Sequence, residues 1–458
     1  MITYGNIEIE AKYEIQEILN IKTIEELNQH SKIIIEGIVP DKDKIEAVTK
    51  MGQNDVIKMK AYGKPFFVGI IQKTSVKNVN GVYRVIIEAS SSTIQMDKEL
   101  KSKSFQNKEM TYNEVFKKIT KKYIGSDYID NIMDQNILNM PIIQYEETDW
   151  TFLKRLASLM RGCLIANRNT EKVKFLVGMP VGKERFFSTQ ESYTLEKNFE
   201  EMINKKKNVM EEVHHVETDE LWNLGDYVQL NGIKHMVVKS IGKLEDGRMV
   251  FNYELSSNVL FPPIFNKNFQ GLSIKGKVID RKADFVKIHL DIDKEQAVDT
   301  AHLFPMDTPY SVEPGCGMYI MPEKNDNICL YFKNCIEVNA VAKACLAEEK
   351  SADRENPRIK TLKTPWNKKL RMMEKSLEFE TNKEMNSMKI SMNEEDGIHI
   401  TSSKQISISS LGNTSITASN ISFSAADDIK VVGGISTTLI QGVIHFKAPI
   451  VKQEGKIK

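Results

Sequence analysis

The sequence predicts a mainly β protein with helical insertions, closed at its C-terminal end by a repetitive β stack. Three observations lead there. Runs rich in β-branched residues, such as Ser31 to Pro40, Lys64 to Ser91 and Leu224 to Ser257, are broken by tight-turn dipeptides. Short amphipathic stretches with capping residues fall between those runs. From Ile390 onward, pairs of large apolar residues return about every eight positions.

The β runs come first. In the stretch from Lys64 to Ser91, Asn80-Gly81 separates two alternating arms, which is the residue pair that a two-residue hairpin turn requires. "TYNEVFKKITKKYIG" then reads as a helix, with Thr111 as N-cap, Val115, Phe116, Ile119 and Tyr123 on one face, and Gly125 beyond its end. Its lysines, Lys117, Lys118, Lys121 and Lys122, read as a solvated face. "QYEETDWTFLKRLASLMRGCLIAN" (Gln144 to Asn167) gives a strand, a cap at Thr148 or Asp149, an amphipathic helix carrying Phe152, Leu153, Leu156, Leu159 and Met160, and a strand after Gly162. A second charged helical stretch is expected near "EKNFEEMINKKKN", before Leu224 to Ser257 returns to strands with a hairpin at Glu245-Asp246-Gly247. The first 258 or so residues therefore read as two β units with helices between them.

Phe261 to Phe269 reads as a linker. Beyond it, alternating segments, with an expected hairpin in "GMYIMPEKNDNICLYF" around Asn325-Asp326-Asn327, suffice for a small five-stranded barrel. A charged passage from Lys343 to Lys375 follows.

The repeat is then explicit. Large residues fall at Ile390 and Met392, Ile398 and Ile400, Ile406 and Ile408, Ile416, Ile421 and Phe423, and Ile429 and Val431. Each pair has the i, i+2 spacing of one strand face, and turn-formers keep nearly the same beat. An octad offers only two inward side chains, so a single chain coiled this way has a thin core and open edges. Three identical chains wound together cure both defects. Roughly nine octads at the strand spacing would make a needle on the order of 45 Å long. An ordinary β-sandwich with Ser/Thr-rich strands is the plainer reading of the same segment, but sandwich strands seldom keep so short a period.

At 458 residues, 41% hydrophobic and 27% charged, the chain is ordinary globular material, long enough for roughly three or four domains. A formal net charge of +1 provides no global field for nucleic acid or an anionic membrane. The N-terminus lacks the pattern of a secretory signal, and apolar runs such as Ile33 to Val39 fall far short of the roughly 20 residues of a spanning helix. Five cysteines, Cys163, Cys316, Cys329, Cys335 and Cys345, without a CxxC, fit reduced thiols in a cytosolic product; a metal site from Cys329 and Cys335 is the weaker alternative.

Residues that do chemistry form no recognisable constellation. There is no G-x-S-x-G, no H-E-x-x-H and no phosphate-cradling Gly-rich loop. His214 and His215 are neighbours on a strand and point to opposite faces. His399 and His445 each lie between two inward octad residues and so are expected to point outward; turned inward, either would cluster on a threefold axis. "DIDKE" (Asp291 to Glu295) lacks the glycine and closing glutamate of a calcium loop and reads as a solvated strand end.

The stretch "QYEETDWTFLKRLASLMRG" closely resembles the signature of the VgrG and phage late-control D proteins, the spike hubs of contractile tails and type VI secretion. The octads resemble the needle of the same family, and the order of units matches over nearly the whole chain. What the resemblance implies is a tandem β-barrel hub with helical insertions over 1–260, a linker and OB-fold barrel over 261–342, a charged linker over 343–375, and a trimeric triple-stranded β-helix over 376–458. It places Asp149, Trp150, Phe152, Leu153 and Leu156 on the family-motif helix and makes the octad residues the core of a trimer axis.

The resemblance also implies a homotrimer that adapts a sixfold tail tube to a threefold needle, because two similar barrels in each of three chains present six similar units. Its partners would be the tube and baseplate proteins and a separate PAAR-like tip or lytic protein. No enzyme activity, cofactor, metal, nucleic acid or stable membrane anchoring is expected. The passage from Lys343 to Lys375 is too short for the lysozyme that some relatives insert, and no effector is expected after "APIVKQEGKIK". The chain is expected to fold in the cytoplasm and to leave it on contraction of a tail-like particle. Two other classes suit a β-rich trimer: a receptor-binding fibre or adhesin, and a cell-wall hydrolase on a β scaffold.

Overall fold

The computed structural model describes residues 1–12, 14–40, 52, 54–186, 193–200, 209–230, 232–308, 310–311, 317–345, 355–383, 386–434 and 436–440. The architecture is mainly β. It divides into two compact units, Met1–Ala347 and Glu348–Lys458.

The first unit opens with β1 (Ile7–Glu10), β2 (Glu17–Glu26), β3 (Lys32–Ile38), β4 (Val56–Ala61), β5 (Lys64–Val79) and β6 (Val82–Ser91). Asn80 and Gly81 both take positive φ, 55° and 85°, which is the two-residue turn that the sequence demanded between β5 and β6. The second β unit comprises β12 (Glu184–Arg185), β13 (Tyr193–Glu200), β14 (Val209–Thr218), β15 (Tyr227–Leu230), β16 (Ile233–Glu245) and β17 (Arg248–Ser256). Asp246 and Gly247 likewise turn β16 into β17 with φ of 47° and 76°.

The two β units are not separate. They merge into one twelve-stranded sheet of order β1-β4-β5-β6-β3-β2-β16-β17-β14-β13, with β15 and then β12 branching from β16. The seam is the antiparallel pairing of β2 with β16, where Thr23 lies opposite Gly242 and Ile24 opposite Ile241. One core runs beneath it, drawing Ile21, Ile35 and Phe67 from the first unit and Val237, Phe251 and Tyr253 from the second.

The helical insertion lies between those units in sequence. β7 (Lys101–Phe105) pairs with β9 (Ile142–Glu147), and β8 (Asp127–Asp130), β10 (Leu164–Ala166) and β11 (Lys174–Val177) form a small mixed sheet. Against them pack α1 (Tyr112–Thr120) and α2 (Asp149–Leu159). Thr111 caps α1 in a reciprocal box with Glu114, and Val115, Phe116 and Ile119 are buried. Of the stretch expected as a further helix, 196–200 is strand and 201–208 lies outside the described residues. β13 occupies Tyr193–Glu200 and pairs along its whole length with β14, because a charged stretch without an apolar helical stripe gains more from completing a sheet.

The barrel-forming strands are β18 (Ser273–Lys282), β19 (Phe285–Leu290), β20 (Leu303–Pro305), β23 (Asn327–Tyr331) and β24 (Val341–Ala344), in the order β20-β19-β18-β23-β24. A bridge from Met306 to Ala342 brings the two ends of this sheet together. The hairpin expected within Gly317 to Phe332 is not formed. β22 (Gly317–Met318) pairs instead with β21 (Tyr310–Ser311), and β23 lies between β18 and β24. The cysteines also depart from expectation, since Cys329 and Cys345 are bonded to each other while Cys163 and Cys335 are free. That pairing removes the alternative of a metal site from Cys329 and Cys335.

In the second unit, the passage read as a charged linker already contains β25 (Lys360–Lys363) and β26 (Lys368–Met372). These join β27 (Ser376–Lys383), β28 (Asn386–Asn393) and β29 (Gly397–Ser402) in a five-stranded antiparallel meander. β30 (Ile429–Gly433) and β31 (Ser436–Ile440) form a hairpin. Within the chain, the octads from Ile406 to Phe423 are not strands at all, contrary to their period. His445 lies outside the described residues.

The seam provides a direct test of the merged sheet. A side chain at Gly242 would have its Cβ 2.6 Å from Thr23 Oγ1 and 2.8 Å from the Phe251 ring. Gly242→Val should therefore destabilise the protein by about 1–3 kcal/mol through overpacking, read as a lower urea midpoint; an unchanged midpoint would contradict this packing.

Candidate functional site

The signature stretch builds a connected site around α2. Its cap is resolved: Thr148 is the N-cap residue, its Oγ1 accepting from Thr151 N at 3.1 Å, while Asp149 is the first helical residue. Phe152, Leu153 and Leu156 are fully buried in the core of the insertion. Trp150 faces the first β unit. Its Nε1 donates to the Asn28 carbonyl at 3.3 Å, its ring lies 4.6 Å from that of His30, and its edge meets Phe175. Asn28 holds a left-handed φ of 65° between β2 and β3 and exchanges hydrogen bonds with Leu164, so Trp150 anchors the insertion to that turn.

Asp149 is completely buried. Its carboxylate accepts from Lys101 Nζ at 2.6 Å, the Tyr123 hydroxyl at 2.8 Å and Gln144 Nε2 at 3.0 Å, with Lys122 Nζ at 3.5 Å. Burial alone would raise this carboxyl, but those hydrogen bonds and the Lys122 charge outweigh it and hold it below the usual carboxylate range. Two of the lysines that frame the motif, Lys101 and Lys122, are thus engaged with a buried acid.

The opposite side of α2 carries Arg155, which is 1% exposed. Nε and Nη2 donate to the two oxygens of Glu147 at 2.9 and 3.0 Å, Nη2 also to the Ile143 carbonyl at 2.7 Å, and Nη1 to Glu337 Oε1 at 2.6 Å. Burial opposes the guanidinium charge, but the facing charges of Glu337 and Glu147 keep its pKa above the ordinary value. Burial pushes the Glu147 carboxyl up, against the pull of Arg155. Glu337 begins the short 3-10 turn that precedes β24, so this one side chain ties the insertion to the barrel.

A second tie lies alongside. Asp293 accepts from Ser104 N at 2.7 Å and Ser104 Oγ at 2.5 Å, and Gln106 Nε2 donates to the Ile288 carbonyl at 3.0 Å. Asp293 was expected at a solvated strand end; it is buried because Ser104 supplies both donors that its carboxylate needs. Sequence reasoning missed Arg155, Glu147, Glu337 and Asp293 as ties. A signal existed for the first: Arg155 stands three residues after Phe152 and four before Leu159, on the apolar stripe of the helix.

The octad residues form a different surface. Across the meander, Leu362, Leu370, Phe379, Ile390 and Ile400 are directly opposite one another from strand to strand, and Met372, Leu377, Met392 and Ile398 make a parallel row. Together with Ile406 the first row lines an apolar groove of about 560 Å3. The expected axis residues are largely uncovered in the single chain, from 37% exposed at Met392 to 81% at Ile408. Ile416, Ile421, Phe423 and Val431 are also exposed, and Ile429 is half-buried. His399 alternates to the other face of β29, with its ring nitrogen 3.0 Å from the Asp396 carbonyl.

Among the described residues no group of three or more His, Cys, Asp or Glu side chains could hold a metal ion. His214 meets His235, at 4.6 Å between rings, and not its sequence neighbour. No helix among the described residues is long and apolar enough to cross a membrane.

No family model matches the chain, and no curated protein matches it in sequence. Solved structures do. An E. coli protein, c3393, is a component of the type VI secretion system with structural similarity to the T4 bacteriophage tail proteins gp27 and gp5. It aligns over 73% of this chain and 99% of its own, with a TM-score of 0.52 at 12% identity. A chain of the lidded Francisella PdpA-VgrG complex aligns over 86% of this chain and 79% of its own, with a TM-score of 0.53 at 10% identity. The likeness is one of fold, shared with the secretion-system component and with a chain of the PdpA-VgrG complex.

Two substitutions test the ties. Arg155→Met leaves Glu147 and Glu337 facing each other without their cation and should cost about 3–5 kcal/mol in urea unfolding. Asp149 has a depressed pKa, so its contribution is present above the unfolded value of about 4 and is lost as pH falls through the folded one. Asp149→Asn should lower Tm at pH 7, and its difference from the wild type should shrink as the pH is taken below 4.

Proposed function

We propose that the protein is the central spike hub of a contractile injection machine, acting as a homotrimer whose upper part seats on a tail tube and whose C-terminal unit is a puncturing needle. The observation that carries this reading is the uncovered octad surface. Among the described residues, none between Ser403 and Asp428 joins a strand pairing within the chain, although the Ile pairs there keep strand spacing. Backbone donors and acceptors in such a stretch need partners, and two further copies supply them without leaving sheet edges along the sides.

The energetics agree with three copies. Burying an exposed Ile is worth about 1.5–3 kcal/mol, and each octad position would be buried three times over on a common axis. A stack of this kind, hydrogen-bonded between chains at every level, is stiff along its length. Stiffness is what a device that transmits a contraction stroke to an envelope requires.

The merged twelve-stranded sheet supports the adaptor role. It joins two β units in each chain, so three chains would present six units to a sixfold tube while the needle keeps threefold symmetry. Tube and baseplate proteins would bind above, and a separate PAAR-like tip or lytic protein would serve the point. The chain itself performs a mechanical and not a catalytic task.

Solution mass tests the assembly. Three chains of 52.3 kDa should elute and scatter as a particle of about 157 kDa. Ile408→Asp should abolish that particle by placing three carboxylates on the axis, and either a stable wild-type monomer or an unaffected mutant trimer would overturn the reading.

A further inference from the structure

The chain leaves the barrel along a weak path. β24 pairs with β23 through only four residue pairs, Val341 with Tyr331, Ala342 with Leu330, Lys343 with Cys329 and Ala344 with Ile328. On its other side it has the Met306 bridge, a hydrogen bond from Asp307 N to the Ala342 carbonyl at 2.8 Å, and the Lys343–Asp307 ion pair at 3.2 Å. The second compact unit begins four residues after Ala344, at Glu348. A pull transmitted through the chain from that unit would load β24 from its C-terminal end. The pair Ala344–Ile328 would open first and the others would follow one by one.

We infer that Cys329 and Cys345 form an oxidation-dependent clamp at that end of β24, open in a reducing compartment and closed outside it. The two Cα atoms are 5.4 Å apart, within the ordinary span of a disulfide, and the bond joins β23 to the residue next after β24. Unzipping from Ala344 then requires breaking a covalent bond. Both residues are only half-buried, so a small reagent can reach them.

The closing chemistry is thiol–disulfide exchange with a low-molecular-weight disulfide. The thiolate of one cysteine attacks that disulfide, forms a mixed disulfide and releases one small thiol. The second cysteine's thiolate attacks the protein sulfur of the mixed disulfide and releases the other. Two protein thiols are oxidised and one small disulfide is reduced to two thiols. A cytoplasm keeps the pair reduced during folding. The timing of closure rests on the proposed outward delivery, whereas the clamp itself does not.

The test uses the full chain, reduced with dithiothreitol or oxidised with glutathione disulfide. Peptide mapping of the oxidised protein should show Cys329 linked to Cys345. Hydrogen exchange at Val341–Ala344 should then be about 10-fold slower or more than in the reduced protein, since a bond closing a loop of this length restrains local opening. Cys345→Ser should exchange at the reduced rate under both conditions. Absence of the linked peptide after oxidation, or equal exchange with and without it, would overturn the clamp. Particle mass measured on the same samples should not change with redox state, so a failure of trimerisation would count against the hub reading and leave the clamp result separate.

Discussion

The first unit is organised around one buried cation. Arg155 has lost nearly all its water and recovers hydrogen bonds by donating to Glu147 and the Ile143 carbonyl, both on β9, and to Glu337 on the turn before β24. Removing a guanidinium and two carboxylates from water costs several kcal/mol for each ion, and only close geometry offsets it. Hydrophobic side chains of the same size could fill that volume with less geometric demand. The arrangement fixes instead where the strand before α2, the helix itself and the turn before β24 meet, because a guanidinium fork accepts few alternative placements.

From that point α2 works as a bracket. One flank, through Trp150, holds the turn at Asn28 and His30 of the twelve-stranded sheet; the other, through Arg155, holds the barrel. Its apolar stripe of Phe152, Leu153 and Leu156 fills the insertion between them. Asp149 pins the start of the helix to Lys101, Gln144 and Tyr123, on β7, β9 and just after α1. A short motif thus positions three layers.

The second unit follows a different rule. Its strands bring apolar rows into register but present them to solvent, so its stability depends on what covers them. Composition and structure agree here: Ser, Thr and Asn satisfy backbone and solvent, and the few Ile pairs are reserved for one face. A monomer organised in this way has no core of its own along the octads.

Much of this was legible in the residues themselves. The hairpins at Asn80-Gly81 and Asp246-Gly247, the capped helix from Tyr112, the strand–helix–strand order around Asp149, and the octad period are local signals, and local conformational preference is enough to set them. The tertiary structure alone decided the rest. Whether Tyr193–Glu200 joins a sheet, that β2 and β16 fuse the two β units, that Asp293 is buried, and that Arg155 meets Glu337 across 182 positions all depend on partners remote in sequence. Pattern reports which face of an element is apolar; it carries no information on which distant group will satisfy a buried charge or complete an open edge.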